Sequence, residues 1–323
     1  MRAVRITRTG GPEVLDLVEI EAPRPGPGEI LVRNSAIGVN FIDTYHRTGL
    51  YPVKLPSGLG MEGAGVVEAV GKGVTRFSVG DLAAYASGPI GAYADQHVVK
   101  ADRAVKPPSG VSAEVAAAAL LKGMTAEFLL RRCYPVRAGE TILVHAAAGG
   151  VGSILVQWAK AIGAVVIGTV GSAAKAELAR RHGCDHVILY REEDVAARVR
   201  EITGGAGVPV AYDSVGAATF EGTLASLARR GLFVSFGNAS GPVPPFAPAR
   251  LSQMGSLFLT RPTLFDYVAT TPELDASAQA LFDVIASGAV EIEIGQTFPL
   301  AEVRRAHEAL EARETIGASL LIP

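Results

Sequence analysis

Residues 141–152 read Thr-Ile-Leu-Val-His-Ala-Ala-Ala-Gly-Gly-Val-Gly, and they constrain the fold more than any other stretch. An apolar run leads into a turn of small residues. The turn opens a helix whose apolar side carries Ile154, Leu155, Trp158 and Ile162. This is a strand–turn–helix unit, and its pattern recurs downstream. Strands are predicted at 141–145, 164–169, 186–189, 208–212, 232–235 and 256–259. Helices are predicted between them at 151–162, 173–181, 192–202 and 219–228. Six strands joined by helical crossovers specify an α/β domain with a doubly wound parallel sheet of the Rossmann type.

The turn itself is a degenerate dinucleotide fingerprint. Ala147 takes the place of the first glycine, and Gly149 and Gly152 supply the other two. Gly149 lets backbone approach a pyrophosphate, and Gly152 lets the helix pack closely on the strand. With Gly150 and Val151 they form a helix N-terminus, whose N–H groups suit phosphate oxygens. Taken alone, a glycine-rich turn is only a turn; the alternating array around it favours dinucleotide binding. An NAD site places Asp or Glu at the end of the second strand, on the ribose hydroxyls. Here that segment is Gly168-Thr169-Val170-Gly171-Ser172-Ala173-Ala174-Lys175, without an acid. Gly171, Ser172 and Lys175 offer backbone donors, a hydroxyl and a cation, which suit an anionic 2′-phosphate. Tyr190, followed by Arg191, would complete that pocket. The competing reading of Lys175 is a solvated helix lysine. The missing acid, at the correct offset, favours NADPH.

The flanking regions differ in character. The first hundred residues are β-rich: 29–33 and 92–99 alternate, 62–70 is apolar and glycine-rich, and turn residues recur throughout. They predict a barrel-like β domain. An Ala-rich helix opens after Ser112. The tail has helices at 274–287 and 300–312 and a strand at 318–322, and it returns to the first domain. The domains expected are therefore 1–124 with 264–323, and an inserted dinucleotide domain at 125–263. The length of 323 residues suits two domains. A hydrophobic fraction of 49% excludes disorder as the main state, and a net charge of −2 excludes a polybasic chain. Two cysteines cannot build a disulfide framework or a four-cysteine zinc lobe. No apolar run of spanning length is present, and no apolar core follows the charged start, so the expected location is the cytoplasm, without a membrane partner.

With these residues in view, the chain resembles the zinc-free quinone oxidoreductases, the zeta-crystallin-like branch of the medium-chain dehydrogenase/reductase superfamily. The markers run through essentially the whole sequence. They are Gly10-Gly11-Pro12-Glu13-Val14-Leu15, Gly38-Val39-Asn40-Phe41-Ile42-Asp43-Thr44-Tyr45, Gly60-Met61-Glu62-Gly63-Ala64-Gly65, Lys122-Gly123-Met124-Thr125-Ala126, residues 146–152, Tyr212-Asp213-Ser214-Val215-Gly216 and Ser235-Phe236-Gly237-Asn238. The resemblance implies that the β domain is a GroES-like barrel. It implies that Asn40, Asp43, Tyr45 and Tyr51 face a cleft between the domains. Asn40, Tyr45 and Tyr51 are the candidates to hold an acceptor ring, and Asp43 is a cofactor contact. It also implies cofactor contacts at Thr125, Phe128, Ser214, Phe236, Gly237, Asn238 and Arg261, and at Arg313 from the last helix. Phe128 stands where the resemblance leads one to expect Tyr, which removes a phenol hydroxyl and keeps a ring. Asn40 and Met61 occupy the positions of a zinc-binding Cys and His in zinc-dependent relatives. Amide and thioether are poor ligands for that ion, so no metal is expected.

Without a metal, the implied reaction is hydride transfer from NADPH to a quinone, whose reduction gains aromaticity and leaves a general acid optional. The alternative enzyme is an enone or alkenal reductase, which benefits more from an acid such as Tyr45 or Tyr51. A third reading is a crystallin-like structural or AU-rich RNA-binding role. The absence of a Lys/Arg stripe with interleaved aromatics speaks against nucleic acid. A homodimer is expected through an edge of the nucleotide domain at 231–237 and 256–260.

Overall fold

The computed structural model describes every residue, Met1–Pro323, and the chain divides into two units. Unit 1 comprises Met1–Met124, Val268–Asp283 and Ile292–Pro323; unit 2 comprises Thr125–Tyr267 and Val284–Glu291.

Unit 1 is built on a long strand. β1 (Arg2–Ile6) and β2 (Asp16–Glu19) form a hairpin, and β3 (Glu29–Val39) follows and runs straight into helix α1 (Phe41–Thr48). Short β4 (Ser57–Gly58), β5 (Glu62–Val70), β6 (Leu82–Tyr85), β7 (Gln96–Lys100) and β8 (Ala104–Val105) complete the N-terminal strands. β3 pairs antiparallel with β5 along one side and with β7 over residues 29–33 on the other. Its buried residues include Ile30, Val32, Ile37 and Val39, which face a core with Val67, Tyr85, Tyr93 and Val99. Helix α2 (Ala113–Phe128) ends in a π-helical turn at Leu129–Cys133.

Unit 2 carries the alternating array. The strands are β9 (Thr141–Val144), β10 (Val165–Val170), β11 (His186–Leu189), β12 (Val208–Asp213), β13 (Leu227–Ser235) and β14 (Phe258–Thr260). They form a six-stranded sheet in the order β11-β10-β9-β12-β13-β14, parallel throughout. Between them run α3 (Gly150–Ile162), α4 (Ala173–Arg181), α5 (Val195–Ile202), α6 (Phe220–Ser226) and α7 (Ala249–Gln253), with α8 (Leu264–Tyr267) after the last strand. The order reverses from β9–β10–β11 to β12–β13–β14, so the loops after β9 and β12 flank the switch point where doubly wound sheets bind ligands. The helix expected at 219–228 stops at Ser226, and β13 begins at Leu227, well before the expected 232. Arg229 and Arg230 are exposed there, with Arg230 at φ 61°, and the apolar pattern resumes only after them.

The tail holds α9 (Thr271–Ala286), β15 (Ile294–Pro299), α10 (Val303–Glu311) and β16 (Ala318–Ile322). β16 pairs antiparallel with β3, and β15 adds outside β16 in parallel. Val303, Ala306, His307 and Leu310 form the buried face of α10, spaced as an amphipathic helix requires. Three of them join Leu300 and Leu321 in the same core as Val4 and Ile6. The first and last parts of the chain thus share one hydrophobic core, and unit 1 is discontinuous in sequence.

Candidate active site

In unit 2 the chain leaves β9 through His145, Ala146, Ala147 and Ala148. The left-handed residue of this turn is Ala146, at φ 53°, one place before the position expected from the glycine spacing. Gly149 caps α3, and Gly150, Val151 and Gly152 make its first turn. A Cβ on Gly152 would lie 2.2 Å from the Ala146 carbonyl oxygen, so only glycine fits this close approach. The first-turn N–H groups of α3 have no acceptor within the helix, which is the donor set an anion uses.

The loop after β12 lies beside the loop after β13. A Cβ on Gly237 would meet the Ser214 carbonyl oxygen at 2.3 Å, so these two backbones touch. Phe236 N–H donates to the Asp213 carbonyl at 2.8 Å, and Ala239 N–H to that of Ser214 at 3.2 Å. Arg261 braces the same turn. Its Nη1 donates to the Ser235 carbonyl at 2.8 Å, and its Nη2 to the Asn238 amide oxygen at 3.1 Å in the amide orientation that satisfies both groups. Ser214, Phe236, Gly237, Asn238 and Arg261 therefore form one constellation.

A buried network that the sequence reading missed lies behind it. Asp213 Oδ1 accepts the N–H groups of Val215 (2.7 Å) and Gly216 (3.1 Å), and Oδ2 accepts the hydroxyls of Thr219 (2.6 Å) and Thr223 (2.9 Å). The Thr223 hydroxyl is also 2.9 Å from His145 Nε2, and His145 Nδ1 is 3.0 Å from the Thr169 hydroxyl. One carboxylate and one imidazole tie the ends of β9, β10 and β12 together. Burial lowers the His145 pKa, which keeps the ring neutral.

The end of β10 brings together Gly171, Ser172, Lys175 and Tyr190. The Tyr190 hydroxyl stands 2.6 Å from where a Gly171 Cβ would be. Ser172 caps α4, its hydroxyl accepting the Lys175 N–H at 3.4 Å. Phe128 is buried and stacked on Tyr267, centroids 4.3 Å apart, which is a packing role within unit 2. Thr125 is also buried, on α2.

In unit 1, Asn40 caps α1 and Asp43 sits at its third position. Asp43 Oδ2 accepts the Asn40 N–H at 2.9 Å and the Tyr93 hydroxyl at 2.8 Å. The Asn40 side-chain amide donates to Glu62 Oε2 at 2.8 Å, and Lys122 Nζ donates to the same oxygen at 2.9 Å. Glu62 Oε1 accepts the Leu121 N–H at 2.6 Å. The Lys122–Glu62 pair is buried on both sides, so neither charge stands without a partner. Tyr45 and Tyr51 pack edge to face with centroids 5.2 Å apart, and His46 packs on Tyr51 at 6.0 Å. Glu62 and Lys122 are not among the residues expected at the site, and a charge inside an apolar run is the sequence signal that could have found them. Arg313 lies past the end of α10 rather than within the last helix. It is exposed, at φ 60°, because the chain has already left the helix at Ala312. No group of three or more His, Cys, Asp and Glu side chains comes together to hold a metal ion.

A GroES-like barrel joined to a six-stranded Rossmann sheet is the architecture of medium-chain dehydrogenases/reductases. Residues 26–109 match the alcohol dehydrogenase GroES-like domain, and residues 150–285 match the zinc-binding dehydrogenase domain. The chain is 55% identical to a quinone oxidoreductase of Pseudomonas aeruginosa over 323 residues, covering 100% of this chain and 99% of the relative. The crystal structure of Escherichia coli quinone oxidoreductase complexed with NADPH superposes with a TM-score of 0.99 at 51% identity, covering 100% of both chains. A 2-haloacrylate reductase of Burkholderia is 43% identical over 328 residues, 99% of this chain and 98% of that one. The chain therefore belongs to the zinc-free quinone oxidoreductase family of the medium-chain dehydrogenase/reductase superfamily.

Proposed function

We propose that this protein is an NADPH-dependent quinone reductase that works without zinc. The observation that carries the cofactor reading is the pair of helix N-termini in unit 2. The first, at Gly149–Gly150–Val151–Gly152, opens α3 with first-turn N–H groups that have no acceptor within the helix, and Gly152 packs that turn closely on the Ala146 carbonyl, an arrangement that suits a pyrophosphate. The second, at Ser172, has no acid, and groups Gly171, Lys175 and the Tyr190 hydroxyl around an opening helix. These groups fit a 2′-phosphate. The Ser214 and Phe236–Asn238 turns, braced by Arg261, would border the nicotinamide half, with Asp43, Thr125, Phe128 and Arg313 as further contacts. Phe128 would act there through its packing on Tyr267.

Bound NADPH supplies a hydride; with one proton it converts a quinone to the hydroquinone. The chain's contribution is positioning and exclusion of water. Asn40, fixed by Glu62 and Lys122, would orient the reactants, and the Tyr45/Tyr51 pair would offer ring faces and hydroxyls to a flat acceptor. The relative named 2-haloacrylate reductase supports, as a second reading, reduction of an activated double bond on the same scaffold. No helix is long and apolar enough to cross a membrane. We place the protein in the cytoplasm as a homodimer without a nucleic-acid partner. The expected edge narrows to β14, since β13 is interior to the sheet, and Phe258 on β14 is 60% exposed.

The test follows the reduced-nicotinamide absorbance with 1,4-benzoquinone. Rapid oxidation of NADPH, with NADH far slower, is the expected result. Equal rates, or no turnover with any quinone, would remove the proposal.

A further inference from the structure

In unit 2 the paired ladders of β9 end at Val144, opposite Gly168 of β10 and Tyr212 of β12. Beyond that level the loops after the strands are held by other bonds. His145 N–H donates to the Tyr212 carbonyl at 2.9 Å, and Ala147 N–H to that of Thr169 at 3.1 Å. The His145 ring adds a side-chain bond in each direction, to Thr169 and to Thr223. His145 and Thr169 are each 1% exposed, and Asp213 and Thr223 are fully buried.

The distances fix the tautomer of this ring. The Thr223 hydroxyl has one proton, and its oxygen lies 2.9 Å from Asp213 Oδ2 and 2.7 Å from the Thr219 carbonyl oxygen. A carbonyl and a carboxylate only accept, so they claim that proton. His145 Nε2 therefore carries its own proton and donates it to Thr223 Oγ1, and the bare Nδ1 accepts the Thr169 hydroxyl at 3.0 Å. The result is a directed tie: Thr169 to His145, His145 to Thr223, Thr223 to Asp213. Thr169 leads into Gly171 and Ser172, His145 into the Ala146 turn, and Asp213 into Ser214. These are the loops assigned above to the 2′-phosphate, the pyrophosphate and the nicotinamide half of one ligand.

Apolar side chains would hold three strands together at less cost, because a buried imidazole and carboxylate give up water. What directed polar bonds add is one fixed register between the loops. A ligand made of joined parts gains from that register, since the second part meets a site already at the right distance.

We propose that His145, in its Nε2–H form, is a positioning residue that holds the loops after β9, β10 and β12 in one register, so that NADPH gains affinity from the alignment of its two halves. The inference rests on the NADPH reading. The pattern needs a neutral ring, and burial, which lowers the His145 pKa against the pull of Asp213, supplies one.

The test compares NADPH with 2′,5′-ADP by calorimetric titration of the full chain, in the wild type, Thr169→Val, Thr223→Val and the double variant. Each substitution cuts one end of the tie and keeps the side-chain shape. Each is expected to weaken NADPH by about tenfold and 2′,5′-ADP by less than about threefold. A tie in series is broken by either cut, so the double variant is expected to bind NADPH no more weakly than Thr223→Val. Thr223→Ser keeps the hydroxyl and is expected to restore the wild-type affinity. Unchanged NADPH affinity in the folded variants, equal losses for both ligands, or losses that multiply in the double variant would each overturn the inference. Nitrogen NMR of the wild type reads the tautomer without any substitution, and an Nδ1–H ring would overturn it as well. In all of these outcomes the wild type still binds NADPH and the cofactor reading stands. A wild type that binds no NADPH would overturn both.

Discussion

Individual residues carry the cofactor proposal. Gly152 has no room for a methyl group, and the atom in its way is a backbone oxygen that cannot swing aside. Gly152→Ala is expected to displace the first turn of α3 and weaken NADPH binding by about tenfold or more, measured by fluorescence titration. Lys175→Ala removes a cation that only a 2′-phosphate needs. It is expected to weaken NADPH by about ten- to a hundredfold and NADH by less than about threefold. Equal losses for both cofactors would return Lys175 to the role of a helix lysine. The residue scale was also where the sequence was read least well. The fingerprint glycines and the missing acid are local features, visible in a dozen consecutive residues. Tyr93 and His307 meet across 214 positions, and nothing in either neighbourhood announces the pairing. Phe128 was legible as a ring but not as the partner of Tyr267, since stacking is decided by the path of α8.

At the scale of elements, periodicity worked where it was uninterrupted. The strands at 186–189 and 318–322 and the helix at 173–181 have the bounds that periodicity predicts. β15 was missed because Gly295, Gln296 and Thr297 break its apolar run, and its half-buried alternation emerges only beside β16. Helix α1 was missed because its enclosed face is polar, carrying Asp43, Thr44, His46 and Arg47. The elements of unit 2 are pinned by the Asp213–Thr223–His145 network. Thr223→Val keeps the shape and leaves His145 Nε2 and Asp213 each short of a partner. The expected cost is about 1–3 kcal/mol, read as a lower midpoint in urea unfolding with an unchanged slope. The edge strand β14 makes a separate prediction. The proposed dimer is expected to sediment as a monomer in Phe258→Glu, without loss of the far-ultraviolet dichroism, and a sedimentation coefficient unchanged from the wild type would remove β14 as the interface.

The whole molecule should be sensitive to acid. Burial lowers the pKa of His97 to about 4, that of His307 to about 3, and those of His46 and His145 below the ordinary value of 6.5. The folded chain then binds fewer protons than the unfolded chain over this range, so stability is lost as pH falls below about 6.5. Asp43 has the opposite sign. Its pKa is raised from 3.8 to about 7, so its contribution is present at low pH and is lost as pH rises through 7. The melting temperature is expected to rise from pH 5 to pH 7, and to rise further in Asp43→Asn, where the opposing contribution is gone. A flat profile in both proteins would contradict the neutral buried histidines.

The central claim is that a zinc-free GroES-like and Rossmann pair here reduces quinones with NADPH. The most direct measurement compares kcat/KM for 1,4-benzoquinone, a larger ortho-quinone and a simple enone, with NADPH saturating and a chelator present. The account predicts that the quinones are reduced at rates unaffected by the chelator and that the enone is a poor substrate. Turnover of the enone alone, or quinone turnover that disappears with the chelator and returns with zinc, would contradict it.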